Sequence, residues 1–163
     1  MTQLLPAWYV VSNVAELDSP ALLVYPDRVD ANIRKMLALA GEAARLRPHV
    51  KTHKMAEVVR RQMAEGVSRF KCATMAEAEM VASCGATDVL LAYPLVGPKV
   101  ARFVGLAKAF PATQFSALAD DAEAIRALAK AASEAGLVLD LFLDLDCGQH
   151  RTGVAPGPKA VEL

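Results

Sequence analysis

The chain has 163 residues, 54% hydrophobic and 22% charged, and its 18 lysines and arginines balance its 18 aspartates and glutamates. This length allows one domain with a sizeable core, and the charge balance gives no reason to expect a nucleic acid or an acidic membrane as partner. The three cysteines are widely spaced, which excludes a disulfide framework or a paired-cysteine metal site. With no signal-peptide pattern and no apolar run long enough to cross a bilayer, we expect a cytoplasmic protein without membrane association.

The first half of the chain reads as an N-terminal arm at 1–19 followed by alternating strands and helices. The apolar run at 21–25 lies between two prolines and is consistent with a strand. Asp27 can cap the next helix, and Thr74 with Glu77 forms a capping box that starts a later one. Between these two helices we predict a strand within 47–54, a helix from about Met55 to Glu65 and a strand at 69–73.

The second half repeats the alternation. We predict strands at 88–93, 114–118 and 137–146. Proline after Gly97 opens one helix and the aspartates at 120 and 121 cap the next. The apolar spacing of these two helices predicts the buried residues Val100, Phe103, Val104 and Ala107 on the first, and Ile125, Leu128, Ala129 and Ala132 on the second.

The strand at 137–146 has leucines on one face and three aspartates with a phenylalanine on the other. Six predicted strands with short connections fit either a doubly wound parallel sheet or a (β/α)8 barrel. Aspartates facing a helix layer would be costly to bury, whereas a barrel interior can accept them beside Arg47, His49, Lys51 and Lys71. We therefore expect an α/β fold, a partial (β/α)8 TIM-type barrel, although an edge strand with its aspartates in water also fits.

The segment 47–54 reads RPHVKTHK and concentrates positive charge in a mostly apolar chain. Pro48 favours an extended entry, and helical patterning resumes near Met55, so Lys51 should lie at the carboxyl end of a strand, where α/β folds carry their chemistry. Neighbouring positive charge would disfavour its ammonium form, and a neutral lysine can attack a carbonyl group. A basic, solvated loop is the alternative interpretation.

A second cluster at 146–153 reads DCGQHRTG and follows the last predicted strand. Its glycines allow a tight turn and a close approach of the backbone to a ligand. Arg151 offers a rigid donor fork to a phenolate or carboxylate oxygen. Arginines are common in surface loops, so this loop alone does not define a site.

Together the two clusters resemble those of the D-threonine aldolase and D-serine dehydratase group. This group belongs to the alanine-racemase-like, fold-type III enzymes that use pyridoxal phosphate. FKCAT at 70–74, EAE at 77–79 and LAYP at 91–94 are also similar, and the likeness runs from about Ser19 to the last residue. It implies that 20–163 form the N-terminal part of an incomplete pyridoxal-phosphate-binding barrel of the alanine racemase N-terminal type, without the family's C-terminal β-domain.

The resemblance also implies site residues. Lys51 matches the lysine that holds pyridoxal phosphate covalently and acts as a base, and Arg151 matches the arginine near the cofactor's phenolic oxygen. His49 is implied to lie next to the cofactor. Family members are much longer, and their divalent-metal ligands lie beyond the matching part, so we assign no metal ligand here. We expect the 163-residue chain alone to be inactive, and the longer protein to be a homodimer.

The activity implied is that of a pyridoxal-phosphate-dependent lyase that cleaves a D-β-hydroxy amino acid to glycine and an aldehyde. The alternatives on the same barrel are a D-serine dehydratase, an amino-acid racemase and a pyridoxal-phosphate-binding protein without catalytic activity. A cofactor-free aldolase that uses the lysine directly is a further class. The residues alone do not decide among these activities.

Overall fold

The computed structural model describes residues 7–163. The helices and strands of this part are α1 (Pro26–Ala40), α2 (Ala56–Ala64), β1 (Arg69–Cys72), α3 (Met75–Ser83), β2 (Asp88–Pro94), α4 (Pro98–Ala109), β3 (Gln114–Ala119), α5 (Ala122–Glu134), β4 (Asp140–Leu143) and α6 (Pro158–Glu162). The first six residues of the predicted arm lie outside the described part. The rest of the arm, 7–19, contains a short 3₁₀ turn at Val14–Glu16.

The four strands form one parallel sheet in the order β1-β2-β3-β4. Each strand therefore pairs with the next one in the chain, with a helix between them. A doubly wound sheet reverses its strand order to place helices on both faces, whereas a barrel winds in one direction. This order confirms the predicted α/β fold, a partial barrel.

The core lies between the outer face of the sheet and the helices. Phe70, Val89 and Phe115 on neighbouring strands are all 2% exposed or less. Phe103 of α4 meets Phe115 edge to face, with 6.0 Å between ring centroids. All four residues predicted to be buried on α4 are buried.

Helix α5 follows its prediction only in part. Its buried residues are Leu128 and Ala132, Ile125 is half-buried and Ala129 is exposed. The prediction for Ala129 was wrong because α5 buries a narrower stripe than its apolar sequence allows. Small residues such as alanine carry little burial energy, so their periodicity defines a helix face poorly.

The inner face of the sheet is more polar. Lys71, Leu90, Ser116 and Asp140 lie side by side across the four strands. Toward the amino ends of the strands, Arg47 forms two bonds with Asp88, at 2.5 and 2.7 Å. The polar inner surface agrees with the barrel interior that the aspartate pattern indicated.

The partner of Arg47 differs from our expectation. We expected the aspartates of the last strand to compensate its charge, but Asp88, the first residue of β2, does so. The guanidinium carbon also lies 5.9 Å from the ring centroid of Phe142 on β4. The register of the segment explains this partner. His49 pairs with Lys71 of β1, so Arg47 lies two residues closer to the amino ends of the strands, beside the start of β2.

Three predicted strands are shorter or absent. The run at 21–25 has no strand pairing in the described chain, and Leu22 within it is 81% exposed. The segment 47–54 contributes a single bridge, and the last strand is reduced to β4 and one bridge between Leu145 and Val154. A strand needs a hydrogen-bonding neighbour, and these segments have a neighbour on one side at most.

Among the helices of residues 7–163, none has the length and apolar character that a membrane span requires.

Candidate active site

Lys51 lies in a tight turn at the carboxyl edge of the sheet. The chain arrives extended, with the amide of Lys71 donating to the carbonyl of Pro48 at 2.9 Å. It then turns through a 3₁₀ segment, Val50–Thr52, in which Val50 is fully buried. Lys51 itself is exposed, and its ammonium has no hydrogen bond or ion pair within the described residues. The predicted position at the carboxyl edge is correct, although a turn rather than a strand carries the lysine.

His49 supports this turn through its imidazole. Its Nδ1 accepts the backbone amide of Lys51 at 3.4 Å, a long contact. Burial, followed by the positive charges of Lys51 and Lys71, lowers the pKa of His49 below its ordinary value. The ring is therefore mostly neutral at pH 7, and a neutral imidazole nitrogen can accept the amide proton.

Glu77 is a site residue whose role the sequence analysis did not identify. It lies in the first turn of α3 and is 4% exposed. Its carboxylate accepts from Lys54 Nζ at 2.6 Å and from the backbone amide of Ala73 at 2.7 Å. The capping box was the available signal, since it predicted that Thr74 would accept the amide of Glu77, as it does at 3.1 Å.

The second cluster forms a closed loop after β4. The carboxylate of Asp146 accepts the amides of Gly148 and His150, each at 2.9 Å, and lies 2.8 Å from Nδ1 of His150. The amide of His150, then that of Gly148, holds the pKa of Asp146 below its usual range. We had expected Asp146 to compensate the positive charges of the barrel interior. It instead organises its own loop, and this prediction was wrong.

The end of this loop is fastened to the sheet. The amide of Gly153 donates to Asp120 Oδ2 at 2.9 Å, and Val154 exchanges backbone hydrogen bonds with Asp144 and Asp146. Arg151, between these fixed points, is exposed, and its guanidinium has no partner within the described residues. Its charge is therefore available to a ligand.

The two clusters lie at the same edge of the sheet. Lys51 follows the segment that pairs in parallel with β1, and Arg151 follows β4, so both lie beyond the carboxyl ends of parallel elements. This edge is where barrel enzymes build their sites. An exposed amine and an exposed guanidinium at this edge are suited to an aldehyde and to an anionic oxygen, respectively. Within 7–163, no group of three histidine, cysteine or acidic residues is arranged to hold a metal ion.

Comparison with known proteins gives a consistent picture. The family model for the alanine racemase N-terminal domain matches residues 24–163. A D-threonine aldolase from Arthrobacter sp is 32% identical over 143 residues, which cover 87% of this chain and 37% of that protein. A D-threo-3-hydroxyaspartate dehydratase from Delftia sp. (strain HT23) is also 32% identical, over 85% of this chain and 36% of the relative.

A solved structure agrees with these sequence matches. The crystal structure of D-threonine aldolase from Filomicrobium marinum superimposes with a TM-score of 0.82 and 34% identity. The match covers 91% of this chain and 40% of that one. The chain thus spans little more than a third of the length of the curated relatives it matches.

Proposed function

Because the chain belongs to the alanine racemase N-terminal domain family, we propose that it is part of a pyridoxal-phosphate-dependent lyase acting on D-β-hydroxy amino acids. The observation that carries this proposal is the amine of Lys51, which is exposed in its turn at the carboxyl edge of the sheet and has no partner among the described residues. The names of the D-threonine aldolase relatives support the substrate class. In this proposal 20–163 form the N-terminal part of the cofactor-binding barrel, and 1–19 form an arm.

Lys51 is the residue that binds the cofactor covalently in this proposal. An amine must be reachable to react with an aldehyde, and Lys51 is exposed and makes no ion pair in the described chain. His49 orients it, because its neutral ring accepts the Lys51 amide and so limits the direction in which the side chain leaves the turn. Dehydration or racemisation would need the Lys51 amine as base at the substrate Cα, whereas retro-aldol cleavage removes no Cα proton and needs a base at the β-hydroxyl group.

Arg151 would bind the phenolic oxygen of the cofactor and help to orient the substrate carboxylate. Its guanidinium cannot be deprotonated at ordinary pH, so it supplies hydrogen-bond donors and never a proton. The fixed ends of its loop, at Asp146 and Gly153, keep the backbone in place while the side chain remains free to bind. The bound cofactor would supply the delocalisation of electrons from a bond broken at Cα.

Retro-aldol cleavage to glycine and an aldehyde is the reaction we propose. A D-serine-type dehydration is the second candidate, since the Delftia dehydratase is as similar as the Arthrobacter aldolase. The resemblance implies two further alternative activities, racemisation and cofactor binding without turnover. It also implies a homodimer and a divalent metal for the longer protein. The described residues do not fit a metal site, so we derive no step through a metal.

Reductive trapping tests the cofactor proposal directly. The 163-residue chain is mixed with pyridoxal phosphate, reduced with borohydride and digested, and the labelled peptide is identified by mass. We expect a pyridoxyl group on Lys51, and Lys51→Arg should lose it. Preferential labelling of Lys54 or Lys71 would overturn the assignment.

Product analysis distinguishes the two candidate reactions in the longer protein. Glycine plus an aldehyde would support the aldolase, and ammonia plus a keto acid would support the dehydratase.

Arg151→Ala separates a functional role for this arginine from a structural one. The guanidinium is exposed and has no hydrogen bond or ion pair within the described residues, so the midpoint of urea unfolding should stay unchanged. Binding of pyridoxal phosphate to the longer protein should weaken, and most of the turnover should be lost. Loss of folding with intact specific activity would contradict the proposed role.

A further inference from the structure

A buried carboxylate lies below the turn that carries Lys51. Glu77 is 4% exposed and uses both of its oxygens, one toward Lys54 Nζ at 2.6 Å and the other toward the amide of Ala73 at 2.7 Å. Lys54 ends the Lys51 turn, and Ala73 follows the last residue of β1. A single side chain on α3 therefore joins the turn to the end of the neighbouring strand.

The backbone at Lys54 adopts an uncommon conformation, which the ion pair with Glu77 can stabilise. Lys54 has a φ of 52°, in the left-handed region that side-chain-bearing residues rarely adopt. Its amide closes the turn by donating to the carbonyl of Val50 at 2.8 Å. Lys51 lies inside this closed segment, so Lys51 and Lys54 belong to one hydrogen-bonded turn.

The contacts of Glu77 differ from those of an ordinary capping residue. In a capping box, the third-position glutamate returns to the amide of the cap residue, which here is Thr74. Glu77 instead bonds the amide one residue earlier and reaches a second segment through Lys54. Helix capping alone does not require the second contact.

The charge of Glu77 is maintained despite its burial. Burial alone would raise the pKa of this carboxyl, but the hydrogen bond from Lys54 and the amide of Ala73 outweigh it, and the pKa is lowered. Glu77 is therefore an anion at neutral pH. It is a buried negative charge next to a turn that contains His49, Lys51 and Lys54.

We propose that Glu77 is a positioning residue that, through its ion pair with Lys54, fixes the turn in which Lys51 meets the aldehyde of pyridoxal phosphate. The proposal rests on the function proposed above for Lys51. Glu77 touches neither cofactor nor substrate and acts through the backbone of the turn. Its removal should lower the reactivity of Lys51, free the amine of Lys54 and leave the lysines outside this ion pair unchanged.

The test compares Glu77→Gln with Glu79→Gln. Glutamine keeps the shape and an oxygen for the Ala73 amide but removes the charge, and Glu79 is an exposed residue two positions along the same helix. Each variant of the 163-residue chain is treated briefly with pyridoxal phosphate and borohydride, and the label on each lysine is quantified by peptide mass. We expect Glu77→Gln to lower the fraction of Lys51 that is labelled about fivefold, the upper range for a partly exposed ion pair, with Glu79→Gln unchanged.

A second pair of variants addresses misfolding. The side chain of Lys54 is 60% exposed, so Lys54→Gln removes the ion pair from its solvent side without opening the core. It should reproduce the effect on Lys51, and Lys54→Arg should restore labelling because it keeps the charge. The double variant Glu77→Gln, Lys54→Gln should be no worse than either single change, because both remove the same interaction.

The outcomes separate the two proposals. If the unmodified chain does not label Lys51, the cofactor assignment fails. If it labels Lys51 and both Glu77→Gln and Lys54→Gln label it equally well, the assignment stands and the positioning role is wrong. A uniform fall in labelling at all lysines would also overturn the positioning role.

Discussion

The two cysteines at 72 and 147 occupy opposite environments, which gives a prediction at the scale of single residues. Burial raises the pKa of the Cys72 thiol to about 12, whereas Cys147 is exposed in the loop after β4. The thiolate is the reactive form. We expect iodoacetamide to modify native Cys147 and to spare Cys72 until the chain is unfolded. Peptide mapping with and without urea measures this, and equal native modification of both would contradict the described burial.

Gly153 and Gly148 provide a matched pair in the Arg151 loop. Both have positive φ, 95° and 116°, so alanine at either site carries the backbone cost of about 1–2 kcal/mol. At Gly153 a Cβ would also lie 2.7 Å from the backbone nitrogen of Asp146, whereas at Gly148 it would meet nothing within 4 Å.

We therefore expect Gly153→Ala to lose clearly more stability than Gly148→Ala and to open the loop. Urea unfolding gives the first quantity, and limited proteolysis between 146 and 154 reports the second. Equal losses for the two variants would show that the loop can move aside, and that its close approach to the strand is unimportant.

The sequence predicted the position of Lys51 at the carboxyl edge of the sheet for local reasons. The position of Lys51 follows from a proline before it and a helix after it, and both are signals within a few residues. The Asp88 partner of Arg47 and the Lys54 partner of Glu77 were missed because they depend on register and on contacts between distant segments. The partners of Asp146, in contrast, lie within four residues and depend on the conformation of its own loop. Arg47 meets Asp88 across 41 positions, and no local pattern encodes that distance.

At the scale of elements, helices were easier to predict than strands. Helix α4 begins after Gly97 at a proline and buries the predicted face, since caps and periodicity are properties of the helix itself. A strand is defined by its neighbour. The apolar run at 21–25 has strand composition, but no described segment pairs with it, so composition alone gave the wrong assignment.

The ion pair of Arg47 with Asp88 links two such elements, the segment before Lys51 and the start of β2. Both side chains are 22% exposed and the contact is bidentate, at 2.5 and 2.7 Å. Removing one partner leaves a partly buried charge, so we expect Arg47→Met to cost about 2 kcal/mol of unfolding free energy.

The control for this prediction is the pair of Arg60 with Glu57, which is exposed and 3.9 Å apart. Surface pairs contribute about 0–1 kcal/mol, so Arg60→Met should change stability little. Urea unfolding of both variants measures the difference. A loss for Arg47→Met no larger than that for Arg60→Met would show that Asp88 remains solvated without its partner.

At the scale of the whole molecule, the order of the strands in the sheet identifies the fold. The aspartates on the last predicted strand indicated a barrel, and the strand order β1-β2-β3-β4 confirms it. Leu141, Phe142 and Leu143 on this strand are apolar but 36%, 47% and 39% exposed, because β4 is the last strand of the described sheet.

This exposed edge leads to a prediction for the 163-residue chain in solution. Strands with an open edge and apolar side chains pair with other chains. The amide of Asp144 donates to Ala119 on β3, at 2.8 Å, and amides alternate along a strand, so the amide of Leu143 points to the open edge. We expect the chain to self-associate through β4, with a broad unfolding transition, and sedimentation should show a concentration-dependent mass.

Leu143→Pro tests the edge itself, because it removes an outward donor without breaking a bond to β3. It should reduce association and leave the helical circular dichroism unchanged. Val138→Lys is the control: Val138 is 97% exposed but precedes β4, so replacing it adds charge without altering the edge, and association should persist. If Val138→Lys dissociates the chain as well as Leu143→Pro, general solubility and not strand pairing drives association. A stable monomer with a sharp unfolding transition would overturn the prediction, since it would mean that the open edge of β4 is satisfied by water alone.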